Sequence, residues 1–227
     1  MAKTRIGISG WRYTPWRGVF YPKDLAQRRE LEFASRQFPT IELNGSFYSL
    51  QRPESYQAWY DETPKGFVFA VKGPRFITHM LRLKNIDAPL ANFFASGVLA
   101  LREKLGPMLW QFPPNFRFEP AAFEAFLAML PSSIEAAARL GRGHDAHLKR
   151  EPWLHVETNH RMRHAVEIRH ESFVDPAFIA LLRKYGVGFV VADTAGRFPL
   201  YFDVTAPFVY VRPVSYTHLT LPTNREV

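Results

Sequence analysis

The chain has 227 residues, 47% of them hydrophobic and 22% charged, which is typical of a folded globular protein and argues against a disordered one. It has no cysteine, so disulfides, thiolate zinc sites and iron–sulfur clusters are excluded. The net charge of +8 suits a polyanionic partner, but acidic residues interrupt the densest basic part, between Arg139 and Arg163, and a solvated basic face is the favoured interpretation.

Short β-rich segments alternate with helical ones along the chain, which predicts parallel strands joined by crossover helices. Seven strands are predicted, at residues 5–9, 40–44, 67–72, 108–112, 165–169, 188–193 and 208–212. The predicted helices span residues 24–38, 53–61, 88–105, 119–130 and 175–185, and Gly186 is placed to end the last of them. Residues 131–164 fit no such unit, and we predict a helical extension followed by a long surface excursion.

Three of the predicted strands share one pattern, in which apolar and polar side chains alternate with the two-residue period of a strand. The apolar and polar sets are Ile41/Leu43 against Glu42/Asn44, Val166/Ile168 against Glu167/Arg169, and Val209/Val211 against Tyr210/Arg212. In a barrel surrounded by helices, the apolar set packs under the helices and the polar set faces the barrel mouth. The sequence therefore predicts an α/β protein, a (β/α) TIM-type barrel with its chemistry at the mouth.

A series of short motifs runs in order through the chain. They are Gly7-Ile8-Ser9-Gly10-Trp11, Phe20-Tyr21-Pro22, Glu42-Leu43-Asn44-Gly45-Ser46-Phe47-Tyr48, Phe69-Ala70-Val71-Lys72-Gly73-Pro74-Arg75-Phe76-Ile77-Thr78-His79, Leu105-Gly106-Pro107, Gln111-Phe112-Pro113-Pro114, Glu167-Ile168-Arg169-His170, Ala192-Asp193 and Phe208-Val209-Tyr210-Val211-Arg212. As an ordered set, from about Ile6 to Arg212, they resemble the YecE-like family, domain of unknown function 72, which has a TIM-barrel fold. The resemblance implies the fold and does not imply a reaction.

The segment after Arg212 departs from this family, in which a Leu-His-Gly motif, a helix and an eighth strand would follow. Residues 213–227 instead resemble translated sequencing-adapter read-through. We therefore expect one barrel domain over residues 1–212, truncated after its seventh strand, and a non-native, irregular tail over residues 213–227. Such a chain is expected to keep unpaired strand edges and to aggregate or melt early.

Polar side chains at the predicted strand ends are the candidate functional residues. The candidates for catalysis are Glu42, Lys72, His79, Glu167, His170 and Asp193. The candidates for substrate binding are Trp11, Asn44, Tyr48, Arg75, Gln111, Arg169 and Arg212. Because barrel interiors are normally layers of Val, Ile and Leu, so many charges favour a functional site, with a structural ion-pair network as the alternative.

Several roles suit these residues. Glu42 and Glu167 lie on non-adjacent predicted strands and are candidates for the paired carboxylates of glycoside hydrolysis. Lys72 is a candidate electrophile or Schiff-base amine, with an ion pair to Glu42 as the alternative. His79 and His170 suit general acid–base roles or hydrogen-bonding roles within their loops. We expect one cavity to collect the side chains of Glu42, Lys72, Glu167, Arg169 and Arg212.

These residues favour an enzyme that acts on a small polar or anionic substrate by acid–base chemistry, as a hydrolase, lyase or isomerase. The alternative is a non-catalytic nucleic-acid or protein-binding module that uses the basic surface. The sequence identifies neither a cofactor nor an oligomeric state, and no metal site is expected: His160 and His164 have helical ligand spacing but lie in the excursion, where we expect both to be exposed. Without a membrane-length apolar run or a signal-peptide core, no membrane partner is expected and the expected location is the cytoplasm.

Overall fold

The computed structural model describes residues 3–213, and within them the chain forms seven parallel strands. The strands are β1 (Ile8–Ser9), β2 (Thr40–Leu43), β3 (Val68–Lys72), β4 (Leu105–Gln111), β5 (His164–Glu167), β6 (Gly188–Asp193) and β7 (Tyr210–Pro213). Their order in the sheet is their order in the chain. Parallel strands in chain order with helical connections confirm the predicted α/β class.

Helices connect the strands. The α-helices of the described residues are α1 (Glu30–Gln37), α2 (Gly45–Tyr48), α3 (Pro53–Glu62), α4 (Asp87–Ala95), α5 (Pro120–Met129), α6 (Ile134–Gly141) and α7 (Pro176–Tyr185). Local signals in the sequence set the ends of α7. The Asp175 carboxylate accepts from the N–H of Ala177 over 2.8 Å, and Gly186 takes the left-handed conformation, with φ 62°, that ends the helix as predicted.

Residue contacts divide the chain into two compact units. Of the described residues, unit 1 contains 3–110 and 129–164, and unit 2 contains 111–128 and 165–213. In unit 1, Ile8 lies beside Ile41 and Ser9 beside Glu42 in the parallel pairing of β1 with β2. The next pairing sets Leu43 beside Val71, and both of these side chains are buried, as is that of Ile41. This register brings Ser9 and Glu42 together where both strands end.

The core of unit 2 is built from phenylalanine rings. The Phe173 ring centroid lies 5.0 Å from that of Phe178 and 5.5 Å from that of Phe123, in edge-to-face contacts. All three rings are buried, and burial of each contributes roughly 1.5–3 kcal/mol. Phe178 also meets Phe189 of β6 at 5.3 Å, so these rings connect helix α7 to the strand that follows it.

One predicted helix is divided in the structure. The helix predicted over residues 88–105 ends as α4 at Ala95, and two 3₁₀ turns separated by a kink at Arg102 follow over Val98–Lys104 before β4 begins at Leu105. Gly97 separates α4 from these turns with φ 117°, and a Cβ at this position would lie 2.5 Å from the Cα of Pro53. The helix is therefore interrupted where the backbone of residue 97 approaches Pro53 so closely that only glycine fits.

The poorly patterned segment at residues 131–164 contains a helix of its own. Helix α6 is capped by Ser133, whose hydroxyl accepts from the N–H of Ala136 over 3.2 Å, and is separate from α5 rather than an extension of it. The chain then continues without helix or strand to β5. Two contacts with Arg102 anchor this stretch: Glu157 pairs with its guanidinium at 2.9 Å, and the His160 ring lies 3.0 Å from its carbonyl oxygen.

The predicted burial of the apolar strand faces is correct for two strands and wrong for the third. The residues buried as predicted are Ile41, Leu43, Val166 and Ile168. By contrast, Val209 and Val211 are 57% and 61% exposed, because no element of residues 3–213 covers that face of the chain. Pro213 belongs to β7, one residue beyond the predicted strand. The predicted non-native tail otherwise lies outside the described residues and stays a prediction, as does the single domain over residues 1–212.

Candidate functional site

The carboxyl ends of β1 and β2 carry a hydrogen-bonded group of three polar side chains in unit 1. The Ser9 hydroxyl donates to Oε1 of Glu42 over 3.2 Å, and Nδ2 of Asn44 donates to the Ser9 hydroxyl oxygen over 2.7 Å. Glu42 is buried. The Oδ1 atom of Asn44 is buried and accepts no hydrogen bond within residues 3–213. The three side chains form a relay that orients one buried carboxylate.

Lys72 and His79 meet at a single aromatic ring in unit 1. Lys72 is the last residue of β3, is buried, and holds its ammonium 4.0 Å from the ring centroid of Phe47. The His79 ring meets the same ring edge-on at 5.1 Å, and its Nδ1 lies 2.8 Å from the hydroxyl oxygen of Thr78. His79 belongs to a π-helical turn over Phe76–Met80, a form often found at functional sites.

The other predicted binding residues of unit 1 differ in exposure. Trp11 is buried edge-to-face against Trp59, with 5.6 Å between ring centroids, so it packs in the interior. Tyr48 and Arg75 are exposed, and the guanidinium lies 5.8 Å from the tyrosine ring. The exposed pair is open to a ligand, whereas Trp11 supports the elements around it.

In unit 2, the end of β5 holds a carboxylate that is completely buried. Glu167 is 0% exposed, and its Oε1 accepts from Gln111 Nε2 over 2.6 Å and from Arg169 Nε over 3.1 Å. Its Oε2 accepts from Arg212 Nη1 over 2.8 Å. One amide and two guanidiniums therefore compensate the desolvation of a single carboxylate. The structure brings these four predicted site residues together.

Arg169 also contacts a residue that the sequence patterns do not single out. Its guanidinium carbon lies 4.8 Å from the ring centroid of Phe198. The loop after β6 fixes this phenylalanine, since the N–H of Phe198 donates to the Thr194 hydroxyl oxygen over 3.0 Å. Asp193 starts the same loop, and its carboxylate accepts from the N–H of Ala195 over 3.0 Å. Asp193 is exposed and shapes this turn; its predicted catalytic role stays a prediction.

His170 has a local structural contact of the same kind. Its Nδ1 accepts from the N–H of Ser172 over 3.0 Å and lies 2.9 Å from the Ser172 hydroxyl oxygen. These bonds cap the 3₁₀ helix Glu171–Phe173. The hydrogen-bonding role proposed as one alternative from the sequence is present, and the acid–base role stays a prediction. The predicted convergence of all the strand-end charges in one cavity also stays a prediction.

Sequence reasoning missed two members of these groups, Ser9 and Phe198. Ser9 was predictable, because it is a polar residue at the end of β1, in register with Glu42, as the other candidates are at the ends of their strands. Phe198 follows β6 in an irregular loop, where neither period 2 nor period 3.6 indicates direction. The hydrogen bonds of the loop fix its position, and no sequence pattern indicates those bonds.

The prediction that His164 is exposed is wrong. His164 is the first residue of β5 and is buried, with Nδ1 accepting from the Trp110 indole N–H over 3.2 Å. Its Nε2 donates to the carbonyl oxygen of Pro131 over 2.8 Å. Burial lowers the pKa of His164 to about 4. The neutral ring is thus an interior hydrogen-bonding group, and its partners, as well as its position in a strand, rule out the helical ligand pair.

A surface cavity of about 870 Å³ lies elsewhere in unit 1, along helix α3. Trp153 and Arg52 are among its lining residues, and none of the predicted site residues lines it. Within residues 3–213, no group of three or more His, Cys, Asp or Glu side chains is placed to hold a metal ion. No helix in the described part of the chain is long and apolar enough to cross a membrane.

Parallel strands in chain order, with polar groups where the strands end, define a (β/α) protein of the TIM-barrel class. A family model described as protein of unknown function DUF72 matches residues 5–225, and the chain belongs to that family. The resemblance found in the motifs is therefore confirmed. The match includes much of the segment predicted to be a non-native tail.

Two curated relatives show the same family relationship. The chain is 34% identical over 116 residues to UPF0759 protein YunF of Bacillus subtilis, which covers 49% of this chain and 40% of the relative. It is 30% identical over 131 residues to UPF0759 protein YecE of Escherichia coli K12, which covers 57% of this chain and 45% of the relative. The matches thus span less than half the length of either relative.

Solved structures of the family share the fold. A DUF72 family protein from Thermotoga maritima, TM1631, matches with a TM-score of 0.67 and 26% identity, covering 91% of this chain and 72% of that one. The DUF72 family protein EF0366 from Enterococcus faecalis matches with a TM-score of 0.60 and 16% identity, covering 91% and 68%. The predicted TIM-type fold class is therefore confirmed.

Proposed function

We propose that this protein is an enzyme that binds a small polar or anionic substrate at the carboxyl ends of its strands and acts on it by acid–base chemistry, as a hydrolase, lyase or isomerase. The observation that supports this proposal is that each unit buries a carboxylate at a strand end within a defined hydrogen-bonded group, Glu42 in unit 1 and Glu167 in unit 2. Proteins with parallel strands and covering helices bind their ligands at this end of the sheet.

Glu42 is the residue proposed to move protons. It is buried at the end of β2, and the relay from Asn44 through Ser9 holds its carboxylate in one orientation. A general base needs such positioning before its basicity matters. Lys72, held over Phe47, is proposed to supply positive charge where negative charge develops on the substrate.

Glu167 is proposed to position the arginines around it. Both of its carboxylate oxygens already accept from guanidiniums, Oε1 from Arg169 and Oε2 from Arg212. An acceptor engaged in this way orients its donors well and has little capacity left for a substrate proton. Within unit 2, Arg169 and Arg212 are proposed to bind an anion, and Gln111 completes the support of the Glu167 carboxylate.

The test is a thermal-shift screen against small polar and anionic metabolites, followed by turnover of any compound that raises the melting temperature. Glu42→Gln should keep the ligand-induced shift but lower turnover by roughly a hundredfold or more, since the amide can still bond to Ser9 but cannot take a proton. Glu54→Gln, at an exposed position of α3, is the matched control and should change neither. Full turnover by Glu42→Gln, or no stabilising compound, would contradict the proposal.

A second candidate function is nucleic-acid binding by unit 1, which an exposed group of cations favours. The group comprises Arg139, Arg142, Lys149, Arg150, Arg161 and Arg163, all exposed and without an ion pair within residues 3–213. Titration with random single-stranded DNA at increasing salt separates the two functions. Phosphate contacts give a steep loss of affinity with salt, whereas a small-substrate enzyme should bind the DNA weakly at every salt concentration.

A further inference from the structure

We propose that Arg169 binds a two-oxygen acid group of the ligand, a carboxylate or a phosphate, through its two Nη atoms, and that Phe198 is the residue that positions Arg169 for this task. The inference deepens the proposed function and rests on it, because it states which chemical group the substrate carries. The supporting observations are the contacts that the Arg169 side chain makes in unit 2.

The guanidinium of Arg169 is held on two sides and open on the third. Its Nε donates to the buried carboxylate of Glu167 over 3.1 Å, and its plane lies over the Phe198 ring with 4.8 Å from Cζ to the centroid. The side chain is 22% exposed. Within residues 3–213, neither Nη atom has a hydrogen-bond partner.

An arginine held in this way is prepared for end-on binding of an oxyanion. The guanidinium has five donors in a rigid planar fork, and the Nε donor is already occupied. The two Nη groups that remain form parallel hydrogen bonds with two oxygens of one carboxylate or phosphate. Because Glu167 and Phe198 fix the plane beforehand, less conformational entropy is lost on binding than for a mobile surface arginine.

Phe198 is fixed in turn by its own loop. Its backbone N–H donates to the Thr194 hydroxyl, and the N–H of Arg197 donates to the Thr194 carbonyl over 3.2 Å. Thr194 is buried, so the turn that presents the phenylalanine is anchored in unit 2. The Arg197 guanidinium lies 5.3 Å from the same ring. This second cation beside the Phe198 ring adds to the electrostatic attraction for an anion.

The experiment is an NMR titration that observes the arginine Nε–H signals of the whole chain. Arg169→Lys assigns the Arg169 signal, which its bond to a buried carboxylate protects from exchange. Sodium malonate and sodium phosphate are added separately at constant ionic strength, with sodium chloride as the reference salt. We expect a saturable shift of the Arg169 signal with at least one oxyanion and none with chloride, and the stronger of the two identifies the acid group.

Variants then test the geometry, each after a thermal melt confirms folding. Arg169→Lys should weaken oxyanion binding roughly tenfold or more, because lysine lacks the planar fork. Phe198→Leu should weaken it several-fold, whereas Phe198→Tyr retains a ring and should bind as the wild type does. Arg117→Lys changes an exposed arginine of unit 2 and is the matched control, for which no change is expected.

Absence of a saturable Arg169 shift in the wild-type protein overturns the inference, whether or not the variants fold. Wild-type affinity in Phe198→Leu overturns the positioning role. A substrate from the metabolite screen that Arg169→Lys binds as tightly as wild type refutes this inference and leaves the proposed function standing. If Arg169 binds an oxyanion saturably but no stabilising compound is turned over, the anion site at Arg169 stands and the proposed enzyme function is refuted.

Discussion

Two buried polar side chains near the ends of β5 show how differently a residue can be accommodated in the interior. The Glu167 carboxylate meets two guanidiniums and an amide, whereas the His164 ring meets an indole N–H and a backbone carbonyl. An unsatisfied buried polar group costs about 1–3 kcal/mol. Each residue therefore depends on partners of the matching kind, and all of these partners except Arg169 are distant in the chain.

The burial of His164 makes stability depend on pH. The pKa of His164 is about 4 in the folded protein against an ordinary 6.5, so between these values the unfolded chain binds a proton that the folded chain does not. Lowering the pH from 7 to 5 should therefore reduce the free energy of unfolding by about 2 kcal/mol. The loss ends near pH 4, below which both states hold the proton. Urea unfolding at pH 7 and pH 5 measures the effect.

Two variants isolate the contribution of this histidine. His164→Gln does not titrate, so the difference in unfolding free energy between the two pH values should shrink by about 2 kcal/mol. His147→Gln, whose parent side chain is 86% exposed, should retain nearly the full difference. An undiminished pH dependence in His164→Gln would show that other groups cause it.

At the scale of elements, the end of helix α3 depends on a lysine from a later segment. Lys104 Nζ donates to the carbonyl oxygens of Tyr60 and Thr63 over 2.5 and 2.6 Å, and to the Thr63 hydroxyl oxygen over 3.1 Å. A cation at a helix C-terminus satisfies its last carbonyls and its dipole. Burial lowers the pKa of Lys104, because desolvation disfavours its charged form. The hydrogen bonds to three oxygens offset part of that cost.

Lys104→Met should therefore destabilise the protein. The methionine fills much of the same volume but removes the ammonium that donates to both carbonyls, and the Tyr60 carbonyl then keeps only the Thr63 hydroxyl as a donor. The expected cost is about 3 kcal/mol. Lys65→Met, at an exposed position, is the control and should change stability by less than about 0.5 kcal/mol. Urea unfolding at neutral pH gives both values, and equal midpoints for the two variants would refute the capping role.

The elements that could be predicted from the sequence are those in which local pattern and tertiary packing agree. Strand β6 matches its predicted bounds because Gly188 and Asp193 enclose an unbroken apolar run. The break at Gly97 and the separate helix α6 were missed, since the first depends on contact with Pro53 and the second lies in a segment of mixed charge. In the site, the strand-end residues were predictable because side chains alternate between the two faces of a strand. Phe198 was not, because its position depends on the conformation of a loop.

At the scale of the whole molecule, unit 2 exposes apolar side chains close together in the sequence. They are Leu200, Phe202, Val204, Val209 and Val211, all between 45% and 73% exposed. Exposed apolar surface of this kind favours association with other molecules. The early melting or aggregation expected from the sequence stays a prediction, and this exposed apolar surface gives it a physical basis.

Replacing Val209 and Val211 together by threonine should reduce self-association, because threonine keeps the branched shape and adds a hydroxyl that favours water. Sedimentation velocity over a range of concentrations measures the change. Val19→Thr removes an equally apolar side chain that is 86% exposed in unit 1, and should leave association as it is. Unchanged sedimentation of the double variant would show that Val209 and Val211 play no part in self-association.

The hydrogen bond between Trp110 and His164 has a consequence for deuterium exchange. The Trp110 ring is completely buried, and its indole proton is bonded to a nitrogen that is buried as well. Solvent deuterium reaches that proton only when unit 1 opens around it. The exchange rate of a single indole line in a proton spectrum therefore reports the free energy of opening of unit 1 around Trp110.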